Sequence, residues 1–224
     1  MFIEKIIDAH RCSKTLHRVL QDVKKEDLLN INFETNSEDS YDREILFCSE
    51  SLEIVVMRWH PYDFSAIHNH GHAEMGLVKL FTPMTHNVYG RSENTIIHLK
   101  EEKLDKGEII PVDSGLIHQM GNPTSNSWGL TLHVYTRSDN EISSSVTEDS
   151  EIFDVLNEKI FLTSGGVFIV PNMKESRLSP EQGPSGDFRT LQINKEILNN
   201  YLNFSPRKLS KEVPRSFQSS HQYL

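Results

Sequence analysis

The spacing of apolar residues changes once along the chain, near residue 45. Before it, apolar residues recur at helical spacing, at Ile3, Ile6, Ile7, Leu16, Val19, Leu20 and Val23. After it, β-branched and aromatic residues come in short runs separated by turn-forming clusters: EILFCS, LEIVVMRWH, SAIHNH, GLVKLF, HNVYG, NTIIHLK, EIIPV and GLTLHVYT. This pattern predicts N-terminal helices followed by a mainly β fold, an antiparallel β-barrel or double-sheet jelly roll.

The final part of the chain is more polar. Residues 138–151 are acidic and serine-rich, which predicts a loop or linker, and residues 158–170 predict one more hairpin with SGG as its turn. Beyond them, proline-punctuated polar segments lack apolar periodicity, although NKEILNNYL allows a short helix. We therefore expect a folded domain, 1–170, and a polar, flexible C-terminal tail, 171–224.

Composition and charge narrow the classes of partner. The net charge is −9 with no basic stripe, which argues against nucleic acid and anionic membrane as partners. No apolar run approaches the length of a membrane span, and Glu4 and Asp8 interrupt the N-terminal apolar positions, unlike a signal peptide. Cys12 and Cys48 cannot form a disulfide framework, so a cytoplasmic protein is expected. We also expect a monomer or small homo-oligomer. Cys48 is expected to be a small buried apolar residue.

The stretch SAIHNHGHAEMG carries four potential metal ligands at every second position. They are His68, His70, His72 and Glu74. On a straight strand all four would point to the same face, so their spacing alone does not decide which of them bind a metal.

A second segment, GEIIPVDSGLIHQMGN, resolves part of this ambiguity through a family resemblance. It matches the second cupin motif, G-x5-P-x-G-x2-H-x3-N, except at Asp113, where the family usually has proline. His68, His70 and Glu74 fit the first cupin motif. The resemblance implies a small antiparallel barrel in which His68, His70 and His118 bind one divalent metal. Ligation by imidazoles alone suits iron, nickel, copper or zinc better than magnesium or calcium.

Within the cupins, the chain resembles the cysteine dioxygenases over roughly residues 1–170. TLHVYT is similar to the family's Ser-x-His-x-Tyr motif, with Thr131 at the serine position, then His133 and Tyr135. SYDREILF is similar to its Tyr-x-Arg segment and contains Tyr41 and Arg43. The resemblance implies a non-haem iron dioxygenase that uses Fe(2+) and O2 to convert L-cysteine, or a similar small thiol, to its sulfinic acid.

The resemblance also implies a role for each of these side chains. Arg43 is the candidate to bind the substrate carboxylate, with Tyr41 beside it. Tyr135 is expected to donate a hydrogen bond in the site, while His133 orients Tyr135 and Thr131 holds His133.

The remaining positions of interest are not expected to act in the site. Gly76 stands where some family members carry a cysteine that crosslinks to the tyrosine, so no crosslink is expected. Trp59 is expected in the core, and the histidines His60, His86 and His98 are expected at the surface or at strand ends.

Two alternatives remain open at this stage. Glu74 stands at the position where a typical cupin carries a fourth metal ligand. With Glu74 bound to the metal, the protein would be an enzyme acting on a non-thiol substrate. The second alternative is a non-catalytic cupin that senses a small ligand. Within the thiol dioxygenases, 3-mercaptopropionate is the nearest rival substrate.

Overall fold

The computed structural model describes residues 2–33, 41–138, 145–164 and 181–204. Its helices are α1 (Phe2–Ala9), α2 (Ser13–Asp22) and α3 (Phe188–Phe204), with a short 3-10 helix at Lys25–Leu28. Its strands are β1 (Asp42–Cys48), β2 (Leu52–Trp59), β3 (Ile67–His68), β4 (Met75–Leu80), β5 (Met84–Ser92), β6 (Thr95–Leu104), β7 (Ile109–Val112), β8 (Ile117–Gly121), β9 (Gly129–Thr136), β10 (Glu148–Asp154), β11 (Lys159–Ser164), β12 (Glu181–Gln182) and β13 (Ser185–Gly186).

The strands form two sheets that share one core. The first sheet has the order β1-β2-β9-β4-β7, and the second has the order β12-β11-β10-β3-β8-β5-β6-β13. All pairs are antiparallel except β13 with β6. Val55 and Val78 of the first sheet pack with Met84 and Met120 of the second. The predicted mainly β, antiparallel two-sheet fold with N-terminal helices is therefore confirmed.

The outer face of the first sheet is covered by the N-terminal helices. Leu16 and Leu20 of α2 pack with Ile54, Val56 and other outward-facing strand residues in a second apolar cluster. Successive residues of β2 thus face two apolar layers, which explains why this strand is buried on both faces and has a continuous apolar run, Ile54–Met57, instead of strict alternation.

A buried lysine joins α2 to the sheet. Lys79 of β4 donates from Nζ to the carbonyl oxygens of Leu20, Gln21 and Val23, at 2.6, 2.8 and 2.7 Å. These carbonyls lie at the C-terminal end of α2, where Leu20 O also accepts from Val23 N at 3.2 Å. The ammonium group adds hydrogen bonds to all three and opposes the negative end of the helix dipole.

The C-terminal helix α3 packs against the second sheet. Ile193 and Ile197 contact Phe64, and Asn194 accepts a hydrogen bond at Oδ1 from Gln119 Nε2, at 3.2 Å. Because Gln119 belongs to β8, this contact ties the helix to a central strand of the sheet.

The polar composition predicted flexible chain after residue 170, with a possible short helix at NKEILNNYL. That helix is present as part of α3, but the flexible chain expected for the rest of residues 188–204 was wrong. Helix α3 spans 17 residues. Its buried side chains recur at helical spacing, at Thr190, Ile193, Asn194, Ile197 and Tyr201. Two of the five are polar, so the spacing of apolar residues alone does not identify the buried face. Residues 171–180 and 205–224 lie outside the described residues.

Three smaller expectations also change. Residues 148–151, predicted as linker, begin strand β10, which pairs with β11. The predicted SGG hairpin extends into residues 165–170, outside the described part. Cys48 is exposed, because it ends β1 at the edge of the first sheet. No helix among the described residues is long and apolar enough to cross a membrane.

Candidate metal centre

Three histidines meet at one point between the two sheets. His68 of β3 pairs directly with His118 of β8, and His70 follows two residues after His68. One ring nitrogen from each lies within 4.8 Å of the others, and all three residues are buried. Within the described ranges, no other group of histidine, cysteine or acidic side chains forms such a cluster.

The second ring nitrogen of two of these histidines is held by the backbone. His68 donates from Nδ1 to the carbonyl of Ala66 at 2.9 Å, and His70 donates from Nδ1 to the carbonyl of Asp113 at 3.2 Å. This leaves Nε2 with its lone pair. His70 Nε2 is buried and has no hydrogen-bond partner in the described chain. A buried nitrogen lacking a partner, beside two other imidazoles, fits a metal ion.

Burial keeps the three imidazoles neutral. Desolvation lowers the pKa of His68 to about 4 and lowers the pKa values of His70 and His118 well below the usual value. Neutral imidazole is the form that binds metals, so near pH 7 the site needs no deprotonation before loading.

His118 differs from the other two because a side chain holds its second nitrogen. His118 Nδ1 and His86 Nε2 share a hydrogen bond of 2.8 Å, and His86 Nδ1 lies 3.0 Å from Glu102 Oε2. The expectation that His86 is a surface or strand-end histidine was wrong: it is 4% exposed. It lies within β5, whose neighbour β8 carries His118.

The histidines open into a narrow cavity between the sheets. Other residues that the sequence singled out also line it, namely Tyr41, Arg43, Trp59, His133 and Tyr135. The predicted metal ligands and the predicted substrate and catalytic residues are thus brought together, although Arg43 and His118 are far apart in sequence.

A chain of hydrogen bonds runs along the first sheet to the Tyr135 hydroxyl. Tyr135 Oη lies 2.8 Å from His133 Nδ1, and His133 Nε2 lies 2.7 Å from Thr131 Oγ1. Trp59 donates from Nε1 to the same Thr131 oxygen at 2.9 Å. All four residues are buried.

An indole N–H only donates, so Thr131 accepts from Trp59. His133 Nε2 is the other partner of the hydroxyl in the described structure, and the arrangement that satisfies every group has Thr131 donating its proton to His133 Nε2. His133 then carries its proton on Nδ1 and donates it to the Tyr135 oxygen. The hydroxyl proton of Tyr135 is left to point into the cavity. Trp59 is in the core as predicted, and it also orients the Thr131 hydroxyl through this hydrogen bond.

Arg43 is held by a carboxylate that sequence reasoning missed. Its Nη2 donates to Glu53 Oε1, and Glu53 Oε2 accepts a hydrogen bond of 2.8 Å from Thr147. Glu53 is 1% exposed. Arg43 Nε is buried with no partner in the part of the chain that the structure describes. Arg43 therefore has donors left over after its ion pair with Glu53.

Tyr41 forms part of the cavity wall. Its ring stacks on Trp59 with a centroid separation of 4.1 Å, and it is 2% exposed. Burial raises its pKa above the usual value, as it does for Tyr135. Both phenols are therefore protonated near neutral pH.

Glu74 and His72 face away from the histidine cluster. Glu74 is exposed, and its Oε2 accepts hydrogen bonds from Ser138 N at 3.1 Å and Ser138 Oγ at 2.5 Å. His72 lies in the turn after β3, with Nε2 3.3 Å from Asp149 Oδ2. The turn at Gly71 ends the strand alternation that would have kept all four donors on one face. The alternative with Glu74 as a fourth ligand is therefore not supported.

Gly76 lies directly beside the tyrosine. It pairs with Tyr135 across β4 and β9. A Cβ at position 76 would lie 2.6 Å from Val112 Cγ2 and 2.9 Å from Tyr135 Cδ1. Only a residue without a side chain fits between the two.

Comparison with known proteins gives similarities of fold. No family model matches the chain. A double-stranded β-helix protein from Klebsiella pneumoniae is 16% identical, with a TM-score of 0.38, over 53% of this chain and 93% of that one. A cupin superfamily protein from Desulfitobacterium hafniense is 10% identical, with a TM-score of 0.36, over 52% and 90%. An oxalate decarboxylase from Bacillus subtilis is 11% identical, with a TM-score of 0.39, over 50% and 29%.

Proposed function

We propose that this protein is a non-haem iron dioxygenase that oxidises a small thiol, L-cysteine first among them, to its sulfinic acid. One observation carries the proposal. A single buried cavity contains three neutral imidazoles, an arginine with unused donors and a tyrosine hydroxyl with a free proton. The metal would bind the thiol end of the substrate, and Arg43 would bind its other end.

The donor set favours an anionic sulfur substrate. Three neutral imidazoles leave the charge of a divalent ion uncompensated, and a thiolate supplies the negative charge that a carboxylate supplies in other iron oxygenases. Fe(2+), when bound, supplies the coordination positions and the redox chemistry by which both atoms of O2 are added to the sulfur. The remaining steps concern the residues of the chain itself.

Arg43 would bind the carboxylate of the substrate. A guanidinium has five N–H donors in a planar fork, and the bond to Glu53 uses one nitrogen. Glu53, itself held by Thr147, fixes the plane of the fork and leaves other donors for a carboxylate. A thiol with a carboxylate would thus be held at two ends.

Tyr135 would donate its hydroxyl proton towards the reacting sulfur and oxygen. With the His133 proton on Nδ1, the phenol oxygen accepts from His133 and its own proton is available to the cavity. Burial raises the pKa of Tyr135, so the phenol keeps its proton and can donate a hydrogen bond to an acceptor in the cavity. His70 lies beside Tyr135, with ring centroids 5.4 Å apart, so the hydroxyl belongs to the same site as the imidazoles.

The direct test is anaerobic loading with Fe(2+), followed by L-cysteine and O2. We expect one sulfinate for each O2 consumed, with product identified by mass spectrometry. O2 uptake that forms disulfide or peroxide instead of sulfinate would refute the proposal. Ligand binding without turnover would point to the non-catalytic alternative.

The substrate class is tested by comparing thiols in matched arginine variants. Loss of one charge-assisted contact costs about 1.5–3 kcal/mol, so Arg43→Gln should lower kcat/KM for cysteine by about 10- to 100-fold. It should leave kcat/KM for 2-aminoethanethiol, which has no carboxylate, unchanged. Arg43→Lys keeps a positive charge beside Glu53, so it controls for misfolding caused by an unpaired Glu53. Arg58→Gln is the control, because Arg58 pairs with Asp42 outside the cavity. An equal effect of Arg43→Gln on both thiols would contradict the assignment.

A further inference from the structure

The three histidines differ in the partner of the ring nitrogen that faces away from the cluster. His68 and His70 donate to backbone carbonyls, whereas His118 meets the ring of His86. The two rings are nearly perpendicular, at 80°, with centroids 5.0 Å apart, which suits an in-plane N–H to nitrogen hydrogen bond. His118 is thus the one member of the cluster whose outer partner is a side chain.

The arrangement continues to the surface. His86 and Glu102 lie directly opposite each other on β5 and β6, with Nδ1 and Oε2 3.0 Å apart. The His86 side chain is 5% exposed and that of Glu102 is 35% exposed. Glu102 Oε1 also accepts from Lys100 Nζ at 2.9 Å. A buried ring therefore connects a carboxylate at the solvent boundary with a metal-binding histidine.

Only one proton arrangement satisfies every member when a metal is bound. His118 must leave Nε2 unprotonated for the metal, so its proton is on Nδ1 and is donated to His86 Nε2. His86 then carries its proton on Nδ1 and donates it to Glu102. Each hydrogen bond has one donor and one acceptor, and the carboxylate charge polarises both of them.

We propose that His86 and Glu102 are positioning residues for His118, which fix its tautomer and ring orientation and make it a stronger metal donor than His68 or His70. The proposal rests on the three-histidine centre of the proposed function but not on the identity of the substrate. Its physical basis is general: hydrogen bonds behind a ligating histidine hold the ring and raise its basicity.

The test measures metal affinity without thiol or O2. Cobalt(II) is titrated into the full-length apoprotein against a chelator, and its visible absorption bands report the ligand geometry. His86→Leu should weaken binding by about 10- to 100-fold, the range for loss of such a partner. Glu102→Gln should weaken it less, and His86→Gln, which keeps an acceptor for the His118 proton, should restore part of the loss. Glu101→Gln is the matched control, because Glu101 is the adjacent residue and faces Arg189 instead.

A second measurement separates positioning from general loosening of the fold. In the cobalt protein, paramagnetically shifted NMR signals report the ring N–H protons of the three ligands. In His86→Leu, the His118 proton should exchange faster with water while those of His68 and His70 do not change. Equal acceleration of all three, or wild-type cobalt affinity in His86→Leu and Glu102→Gln, would overturn the proposal.

The outcomes separate this inference from the proposed function. If His86→Leu fails to fold, Glu102→Gln and His86→Gln still decide the matter, since they change a boundary carboxylate and keep a polar side chain at position 86. Normal cobalt behaviour with no sulfinate from the iron protein would refute the thiol oxidation alone. A wild-type protein that binds no cobalt would overturn the positioning role together with the metal centre.

Discussion

Replacing Thr131 with valine removes one hydroxyl and keeps the shape of the side chain. The substitution leaves no cavity, but it withdraws the acceptor of Trp59 Nε1–H and the donor to His133 Nε2. Both orphaned groups are buried, since Trp59 is 1% exposed and His133 is 4% exposed. Each unsatisfied buried polar group costs about 1–3 kcal/mol, so the two together should lower the free energy of unfolding of Thr131→Val by about 2–6 kcal/mol. That is a large part of the total stability of a domain, about 5–15 kcal/mol.

Thr131→Ser is the matched control, because it keeps the hydroxyl and removes one methyl group. Its cost should be about 1 kcal/mol. Urea unfolding of the metal-free proteins, followed by far-ultraviolet circular dichroism at pH 7.5, measures both variants. Equal stability of the valine and serine variants would refute the hydrogen-bond chain.

The same substitution should change turnover through Tyr135. Without the Thr131 proton, His133 is free to adopt the other tautomer and accept the Tyr135 proton, which then no longer points into the cavity. The kcat of Thr131→Val should fall towards that of Tyr135→Phe, and the double variant should be no worse than the poorer single variant. Losses that multiply would show that the two residues act independently.

Three further predictions concern the surroundings of the site. Gly76→Ala should cost about 1–3 kcal/mol of stability by overpacking and should lower kcat by displacing the Tyr135 ring, with urea melts and steady-state rates as the measurements. Glu74→Gln should leave the iron content unchanged by elemental analysis, and a large loss of iron would restore the four-ligand alternative. Burial lowers the folded-state pKa of His68 to about 4 and that of His133 to about 3, so the unfolded chain binds more protons below pH 6.5. The metal-free protein should therefore lose stability as the pH falls from about 6.5 to 4, by about 3 kcal/mol from His68 alone, and a flat profile of urea midpoints would contradict this.

Much of the site was predictable because its parts lie in local sequence patterns. The His-x-His pair and the segment around His118 have family spacings, and Arg43 and Tyr135 fall in short motifs. Local patterns also predicted the strands, since β-branched runs between turns need no knowledge of their partners. The two sheets follow from many such runs in one chain.

Glu53 and His86 were missed because their roles depend on strand register. Glu53 is opposite Tyr135 across β2 and β9, and its other partner, Thr147, is 94 residues away. His86 reaches His118 only because β5 lies beside β8. A single sequence carries little signal for such pairings. For His86 a weak signal existed, since a histidine two positions after the buried Met84 falls on the inward face of a strand.

The tie between α3 and β8 has a consequence for the order in which the protein matures. Gln119, next to His118, donates from Nε2 to Asn194 Oδ1 and to the Ser65 carbonyl, and accepts from the Tyr89 hydroxyl. Asn194 emerges from the ribosome after every ligand histidine, so the emerging barrel holds Gln119 with one buried partner missing. Metal capture during translation would then take place on an incompletely supported strand. Docking of α3 therefore completes the hydrogen bonds of Gln119, the residue next to His118, after all three ligand histidines have been synthesised.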